Sequence, residues 1–325
     1  MPVLVTGGAG YIGSHVVLAL IKRGEAVVVL DNLSAGFRRL VPEPATFALG
    51  DVGDIDLLNR LIAEHWIDAI MHFAGSVVVP ESVADPLGYY FNNTVKSHAL
   101  IQAALANEIS HFIFSSSAAV YGTPASNPIT EDAALRPISP YGSSKMMTET
   151  MLADVSRASD LRYVALRYFN VAGADPQGRS GQCSPVATHL IKVACQVVHG
   201  RRPHLEIFGV DYSTPDGTCI RDYIHVTDLA QAHLHALSWL RKGSGSLVIN
   251  CGYGRGYSVL EVVDAMKRAS GTDFKVVFGP RRAGDPPSLV AGVGLIGETL
   301  GWKPRFNDLE LIANHALTWE RTLEH

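Results

Sequence analysis

No apolar run in this chain approaches the roughly 18–20 residues that a membrane-spanning helix needs. Its first residues enter an apolar strand at once, without the basic segment and cleavage site of a secretory leader. Cysteine is scarce: Cys183, Cys195, Cys219 and Cys251 lie far apart with no C-x-x-C pair. That spacing argues against a disulfide framework or a zinc site and for reduced thiols in the cytoplasm. The histidines show no metal-ligand clustering, so no metal is expected. Charged residues are few and the net charge is −4, which gives no reason to expect nucleic acid or an anionic membrane as partner. There is no internal repeat and no low-complexity segment. What remains is a globular chain of 325 residues, long enough for two lobes.

Val3-Leu4-Val5 is a short continuous apolar run of the kind found in central parallel strands. It leads into Thr6-Gly7-Gly8-Ala9-Gly10-Tyr11-Ile12-Gly13, and His15 to Lys22 then reads as a helix. In that strand–turn–helix setting Gly7 permits the tight turn, Gly10 lets backbone approach a pyrophosphate, and Gly13 lets helix pack on strand. The pyrophosphate would sit on the helix N-terminus. A second strand, Ala26 to Leu30, ends at Asp31, whose carboxylate would accept ribose hydroxyls and repel a 2′-phosphate. NAD is therefore the expected cofactor, although Arg38 and Arg39 leave NADP open. Strands at Thr46 to Leu49 and Ala69 to Phe73 end in Gly50-Asp51-Val52 and Ala74-Gly75. Asp51 would meet the adenine amino group or cap the next helix, and Ala74 and Gly75 would let the dinucleotide pass. Tyr89 to Asn107 reads as one long helix, and Arg162 to Phe169 as a sixth strand. Alternation of strands and helices over this stretch predicts a doubly wound, mostly parallel α/β sheet.

The chemistry points to Ser115–Lys145. Phe112 to Phe114 is an apolar strand that ends in hydroxyls at Ser115 to Ser117. Four prolines, at 124, 128, 137 and 140, keep the stretch after Gly122 a loop, so the next helix begins after Pro140. Tyr141 and Lys145 are then i and i+4 on one face. A nearby ammonium favours the phenolate and should draw the phenol, ordinarily near ~10, toward neutrality. Such a Tyr can exchange a proton with an alcohol, and Ser117 can hold the same oxygen.

Thr6–Gly13, the Ser117/Tyr141/Lys145 set, Arg167-Tyr-Phe-Asn170, Arg221-Asp-Tyr-Ile-His-Val226 and Arg281-Arg-Ala-Gly-Asp285 are similar to segments of the extended short-chain dehydrogenase/reductase family. The segments at Arg167–Asn170 and Arg221–Val226 resemble its nucleotide-sugar epimerases in particular. The resemblance implies a Rossmann domain at residues 1–173 and a smaller α/β substrate lobe at 174–325, with a helix near 228–240 packing back on the first domain. It implies reversible C4 epimerisation of UDP-glucose and UDP-galactose through hydride transfer to bound NAD. It extends the cofactor set to Tyr11, Ile12, Asn32, Val52, Phe73, Asn93, Ser115 and Tyr168. It also implies a homodimer built through a four-helix bundle of the helices at Tyr89–Asn107 and Tyr141–Arg157. Related dehydratases carry an Asp-Glu pair where this chain has Ala118 and Ala119, so the acid for elimination is missing. Acting on another UDP-sugar, or a non-catalytic regulator, are the competing readings.

For the substrate, the resemblance implies Phe169, Asn170, His189, Leu190, Phe208, Arg221, Tyr223, Arg282 and Asp285. His189 stands where relatives often have Asn. It should lie on a helix capped by Ser184 and begun by Pro185. Phe208 would stack on uracil or pack in the core. Arg221 and Arg282 suit a diphosphate, which Arg meets bidentately, or form structural salt bridges. Asn170 would reach the sugar or the α-phosphate, and Asp285 would hold the ribose or orient Arg282. Ser76 replaces a Lys that often follows Ala-Gly, and Leu289 should bound the sugar pocket. A strand at Leu247 to Cys251 and a helix near Ser258 to Ser270 complete the expected lobe.

Overall fold

The structure is a computed structural model that describes residues 1–184, 187–282 and 285–323. The first half alternates strand and helix. β1 (Val3–Thr6), α1 (Tyr11–Lys22), β2 (Val27–Asp31), β3 (Thr46–Leu49), α2 (Ile55–His65) and β4 (Ala69–His72) come first. α3 (Val79–Ala84) and α4 (Pro86–Tyr89) then run through a π-helical turn, Tyr90–Val95, into α5 (Lys96–Ala106). The long helix expected at Tyr89–Asn107 is thus interrupted. β5 (His111–Ser117), α6 (Pro140–Ala158), β6 (Arg162–Tyr168) and β7 (Asn170–Ala172) complete this half.

The second half contains α7 (Leu190–Val198), β8 (Leu205–Phe208), β9 (Ile220–His225), α8 (Val226–Arg241) and β10 (Leu247–Cys251). Then come β11 (Gly256–Ser258), α9 (Val259–Ser270), β12 (Val276–Gly279), β13 (Ser288–Leu289), α10 (Gly294–Leu300) and α11 (Leu309–Arg321).

The main sheet has the order β10-β6-β5-β4-β1-β2-β3, all parallel. β1, β2 and β4 are buried throughout, as strands covered by helices on both faces must be. One face packs on α2, α5 and α6, the other on α1 and α8.

One placement departs from the expected lobes, and the helix near 228–240 packs on the first domain. The strand Leu247–Cys251, expected in the smaller lobe, instead pairs as β10 with β6, Leu247 opposite Val164 and Cys251 opposite Tyr168. An uncovered β6 would present apolar residues and unpaired backbone at an open edge. α8 lies against α1: the Arg23 guanidinium donates to Leu234 O at 3.0 Å, and Arg241 bridges Glu25 at 2.7 Å and Asp68 at 2.8 Å. The smaller lobe keeps the parallel pair β8–β12 and the sheet β11-β9-β13, with β7 joined to β9.

The helix carrying Tyr141 starts with Pro140 itself, capped by the Ser139 hydroxyl, which accepts from Gly142 N. The helix expected from Ser184 begins only at Leu190, with extended backbone at His189, and Pro185 lies outside the described residues. The segment before it is tied elsewhere: Gln182 O accepts from Lys192 Nζ at 2.9 Å and from Trp319 Nε1 at 3.3 Å. Those contacts hold it along a cleft rather than in a helical turn.

Candidate active site

The C-terminal ends of β1, β2, β4, β5 and β6 open into one cleft of about 1530 Å³, closed on its far side by α7, β8 and β9. A single small-molecule pocket usually measures ~300–1,000 Å³. The cleft therefore has room for two ligands end to end. Of the expected site residues, all but Lys145 and Asn93 line it, and Arg38 and Arg39, which left NADP open, do not.

Its first wall is made of backbone and acids. Gly7 has φ +72°, and a Cβ there would lie 2.5 Å from Ala74 N; one on Gly13 would lie 2.2 Å from Gly7 O. Neither position accepts a side chain. α1 has Gly10 at its N-cap and no side-chain hydrogen bond, whereas Asp54, Ser139, Ser258 and Asp308 cap α2, α6, α9 and α11. Its leading N–H groups are thus left to a ligand. Buried Asp31 accepts from Ala9 N at 3.0 Å and from Leu33 N at 2.8 Å, so it fastens the glycine turn. Asp51 is held by Lys96 Nζ at 2.6 Å, Asn32 Nδ2 at 3.1 Å and Gly53 N at 2.8 Å. Burial disfavours its charge, but the Lys96 bond outweighs this with the others, and its carboxyl titrates below the usual range. It is not the cap of α2, because Asp54 is.

Asn93 stands behind this wall. Its side chain accepts from Ser76 N at 2.8 Å and donates to Ser76 O and Ser144 Oγ, both at 3.0 Å. With both amide hydrogens spent on protein, it braces the loop and α6. Its neighbour Asn92, which no motif marks, donates to Ser76 Oγ at 2.9 Å. The π-helical turn aims both at Ser76, a local irregularity of the kind that collects at functional sites.

Tyr141, at 9% exposure, and Ser117 meet at the cleft floor, the serine hydroxyl near enough to act on the phenol. Ser117 Oγ accepts from Ala119 N. Here the expected electrostatics are revised. Burial raises the Tyr141 phenol above its ordinary value, and the nearby Ser117 hydroxyl only partly opposes this. The Lys145 ammonium lies 6.0 Å from the centre of the Tyr141 ring and donates to Ser115 O at 2.9 Å. It is therefore aimed at the strand end rather than at the phenol. Burial lowers Lys145 itself to about 8, with Glu149 pulling the other way. Tyr11 donates to Gly173 O at 2.7 Å, and Tyr168 shares a hydrogen bond with Ser115 Oγ, so both hydroxyls shape the floor.

The second wall is cationic. Arg282 lies with its guanidinium carbon 3.8 Å from the centre of the Phe208 ring, so that both ring and cation line the cleft. Arg221 donates to Pro286 O and Ile220 O and lies 3.5 Å from Asp285. Asp285 thus partners Arg221 rather than Arg282. His189 Nδ1 lies 2.9 Å from Gln182 Nε2. Asn170, Phe169, Leu190, Tyr223 and Leu289 complete this wall, with Arg202 and His204, which no motif marks either.

The sequence profile of the NAD dependent epimerase/dehydratase family matches residues 3–252. The chain belongs to this family. A UDP-glucose 4-epimerase of Azospirillum brasilense is 60% identical over 322 residues, covering 99% of this chain and 92% of that protein. A crystal structure of a UDP-glucose 4-epimerase superposes with TM-score 0.96 at 44% identity, covering 99% of this chain and 98% of the other. The enzyme from Brucella ovis in complex with NAD gives 0.95 at 46% identity over 98% and 97% of the two chains.

For this epimerase/dehydratase chain the first wall fits a dinucleotide on its own geometry. The uncapped α1 terminus, the two glycines that admit no Cβ, and Asp31 at the end of β2 meet what a pyrophosphate and an adjoining ribose require.

Proposed function

We propose that the protein interconverts UDP-glucose and UDP-galactose by inverting C4 of the sugar while NAD stays bound. One observation carries the reading. Tyr141 and Ser117 lie together at the junction of a dinucleotide wall and an arginine-bearing wall within one cleft. Gly7, Gly10, Tyr11, Ile12, Gly13, Asp31, Asn32, Asp51, Val52, Phe73, Ala74, Gly75, Ser115 and Tyr168 would hold the cofactor. Bound NAD supplies the hydride acceptor and donor.

Tyr141, reacting as its phenolate, takes the proton of the C4 hydroxyl as that carbon is oxidised, and returns it when the other face of the 4-keto sugar is reduced. The Ser117 hydroxyl donates to the same oxygen, which keeps it placed through both half-reactions. Lys145, fixed on Ser115 O, retains free ammonium hydrogens for the ribose next to the nicotinamide. Arg221, Arg282, His189 and Asn170 would grip the diphosphate, with uracil on Phe208. Phe169, Leu190 and Tyr223 would wall the nucleotide, with Asp285 steadying Arg221. Only the anchored half of such a substrate is held by charge, so the sugar is free to turn. Ala118 and Ala119 border Ser117 without an acid, which speaks against elimination chemistry. Leu289 fills the sugar end and favours unmodified hexoses.

Exposed apolar side chains at Val83, Leu87, Phe91 and Val95 recur every fourth residue beside exposed Met147 of α6. They support a homodimer through a four-helix bundle. Four free thiols, three of them buried, support a reducing compartment such as the cytoplasm.

The test is to incubate purified protein with UDP-galactose and no added NAD. UDP-glucose should form. No product, with NAD found in the folded protein, would refute the reading.

A further inference from the structure

Tyr141 and Lys145 are the first two members of a longer row. Glu149 occupies the next i+4 position on the buried face of α6 and is itself buried. Its carboxylate takes two bonds from Arg167 of β6, Nε to Oε1 at 2.9 Å and Nη2 to Oε2 at 2.6 Å, and another from the Ser116 hydroxyl. Arg167 goes on to Tyr121 OH at 2.9 Å, and Tyr121 donates to Asn250 Oδ1 at 2.7 Å. The network therefore ties α6 to the ends of β5, β6 and β10, directly beneath the chemistry. None of these groups lines the cleft.

We propose that Glu149 is a positioning residue for the reaction: clamped by Arg167 and Ser116, its carboxylate keeps the Lys145 ammonium charged and aimed at the end of β5.

Among the described residues, the surroundings of Lys145 supply no other anion. On α6 it faces Tyr141 and Glu149. From β5 it meets the Ser115 carbonyl and the Phe114 ring, with its ammonium 5.0 Å from the ring centre. From β4 it faces His72, whose ring nitrogens bond Thr6 and Ser97 hydroxyls and which burial and the lysine charge hold down at about 3, hence neutral. From β6 come the Tyr168 hydroxyl, on Ser115 Oγ and raised by burial, and Arg167, already committed to Glu149. Asn93, on the π-helical turn, is uncharged. Burial pulls the lysine toward neutrality, and Glu149 is the charge that opposes it. With the lysine lowered to about 8, losing that carboxylate would bring its deprotonation into the physiological range.

The proposal rests on the epimerase reading for its effect on turnover, but not for its effect on the lysine. The experiment uses protein carrying its own bound dinucleotide and labelled with [ε-13C]lysine, the Lys145 signal being assigned by its absence in Lys145→Met. In Glu149→Gln the Lys145 titration should move down by about one pH unit, the low end of what loss of a nearby opposite charge produces. The alkaline limb of kcat should move with it, and Glu149→Asp should recover part of both. Glu149→Gln leaves Arg167 buried and unpaired, so Glu149→Met with Arg167→Met is made alongside. Replacing both partners by apolar groups should return the melting temperature toward the parent value. The lysine titration should nevertheless stay low. An unmoved Lys145 titration in whichever variant folds, or its return to the parent value in the double variant, would overturn the proposal. A shifted titration in a protein that turns over no UDP-sugar would leave the proposal standing and overturn the assigned reaction instead.

Discussion

The two walls of the cleft hold their ligands by different physics. The first is rigid backbone at the ends of central strands, with glycines that tolerate no side chain and acids fixed by main-chain amides. Among the described residues lining it there is no Lys or Arg. The second is assembled from short strands and connecting segments and brings Arg202, Arg221 and Arg282. A ligand on the first wall is recognised by shape and hydrogen bonds and should be hard to dislodge. A ligand on the second is recognised by charge, and its uncharged end is left loose. For a reaction that must keep one reactant and turn the other over, this division is a functional requirement.

The contrast between the walls is broken most severely at their junction. Tyr141→Phe should lower kcat by about 10²–10⁴, the usual worth of one acid–base group, while UDP affinity measured by calorimetry stays the same. Loss of UDP binding as well would mean that the phenol belongs to the second wall rather than to the chemistry. Next comes the first wall. Gly13→Ala forces a methyl to within 2.2 Å of a carbonyl oxygen, so the protein should purify without dinucleotide, judged by its ultraviolet spectrum and by extraction. Full retention would show that shape is not what holds the cofactor. The smallest effect is on the second wall. Arg282→Leu removes one charge-assisted contact worth ~1.5–3 kcal/mol, so KM should rise about 10–100-fold with kcat little changed. The rise of KM with salt should flatten, since exposed charges are screened. Dinucleotide content should not respond to salt at all.

The first wall is legible in the sequence because its signals are local. Strand, glycine turn, helix and terminal acid fall within Val3–Asp31, and each strand at the centre of the sheet is an unbroken apolar run. The second wall is legible only by resemblance. Its residues come from β7, α7, β8, β9 and the segments around them, and no period in the chain connects them. Three features lie beyond sequence reasoning for physical reasons. β10 looks like any short apolar strand, and only the bare edge of β6 decides where it pairs. The start of α7 is set by tertiary bonds from Lys192 and Trp319 to Gln182, which override the local cap signal. The i, i+4 spacing of Tyr141 and Lys145 does place them on one helix face. The direction of the lysine side chain is not contained in that spacing, because the Ser115 carbonyl that captures it comes from another strand.

The placement of β10 has a consequence for any attempt to dissect the molecule. Because the stretch that completes the dinucleotide sheet is synthesised some eighty residues after β6, the nucleotide-binding half has no separate existence as a continuous piece of polypeptide. Gene fusions, split reporters or minimal fragments that cut after Gly173 would leave Tyr163–Tyr168 as a sticky, half-paired margin, and such pieces should clump until the missing segment is supplied in trans.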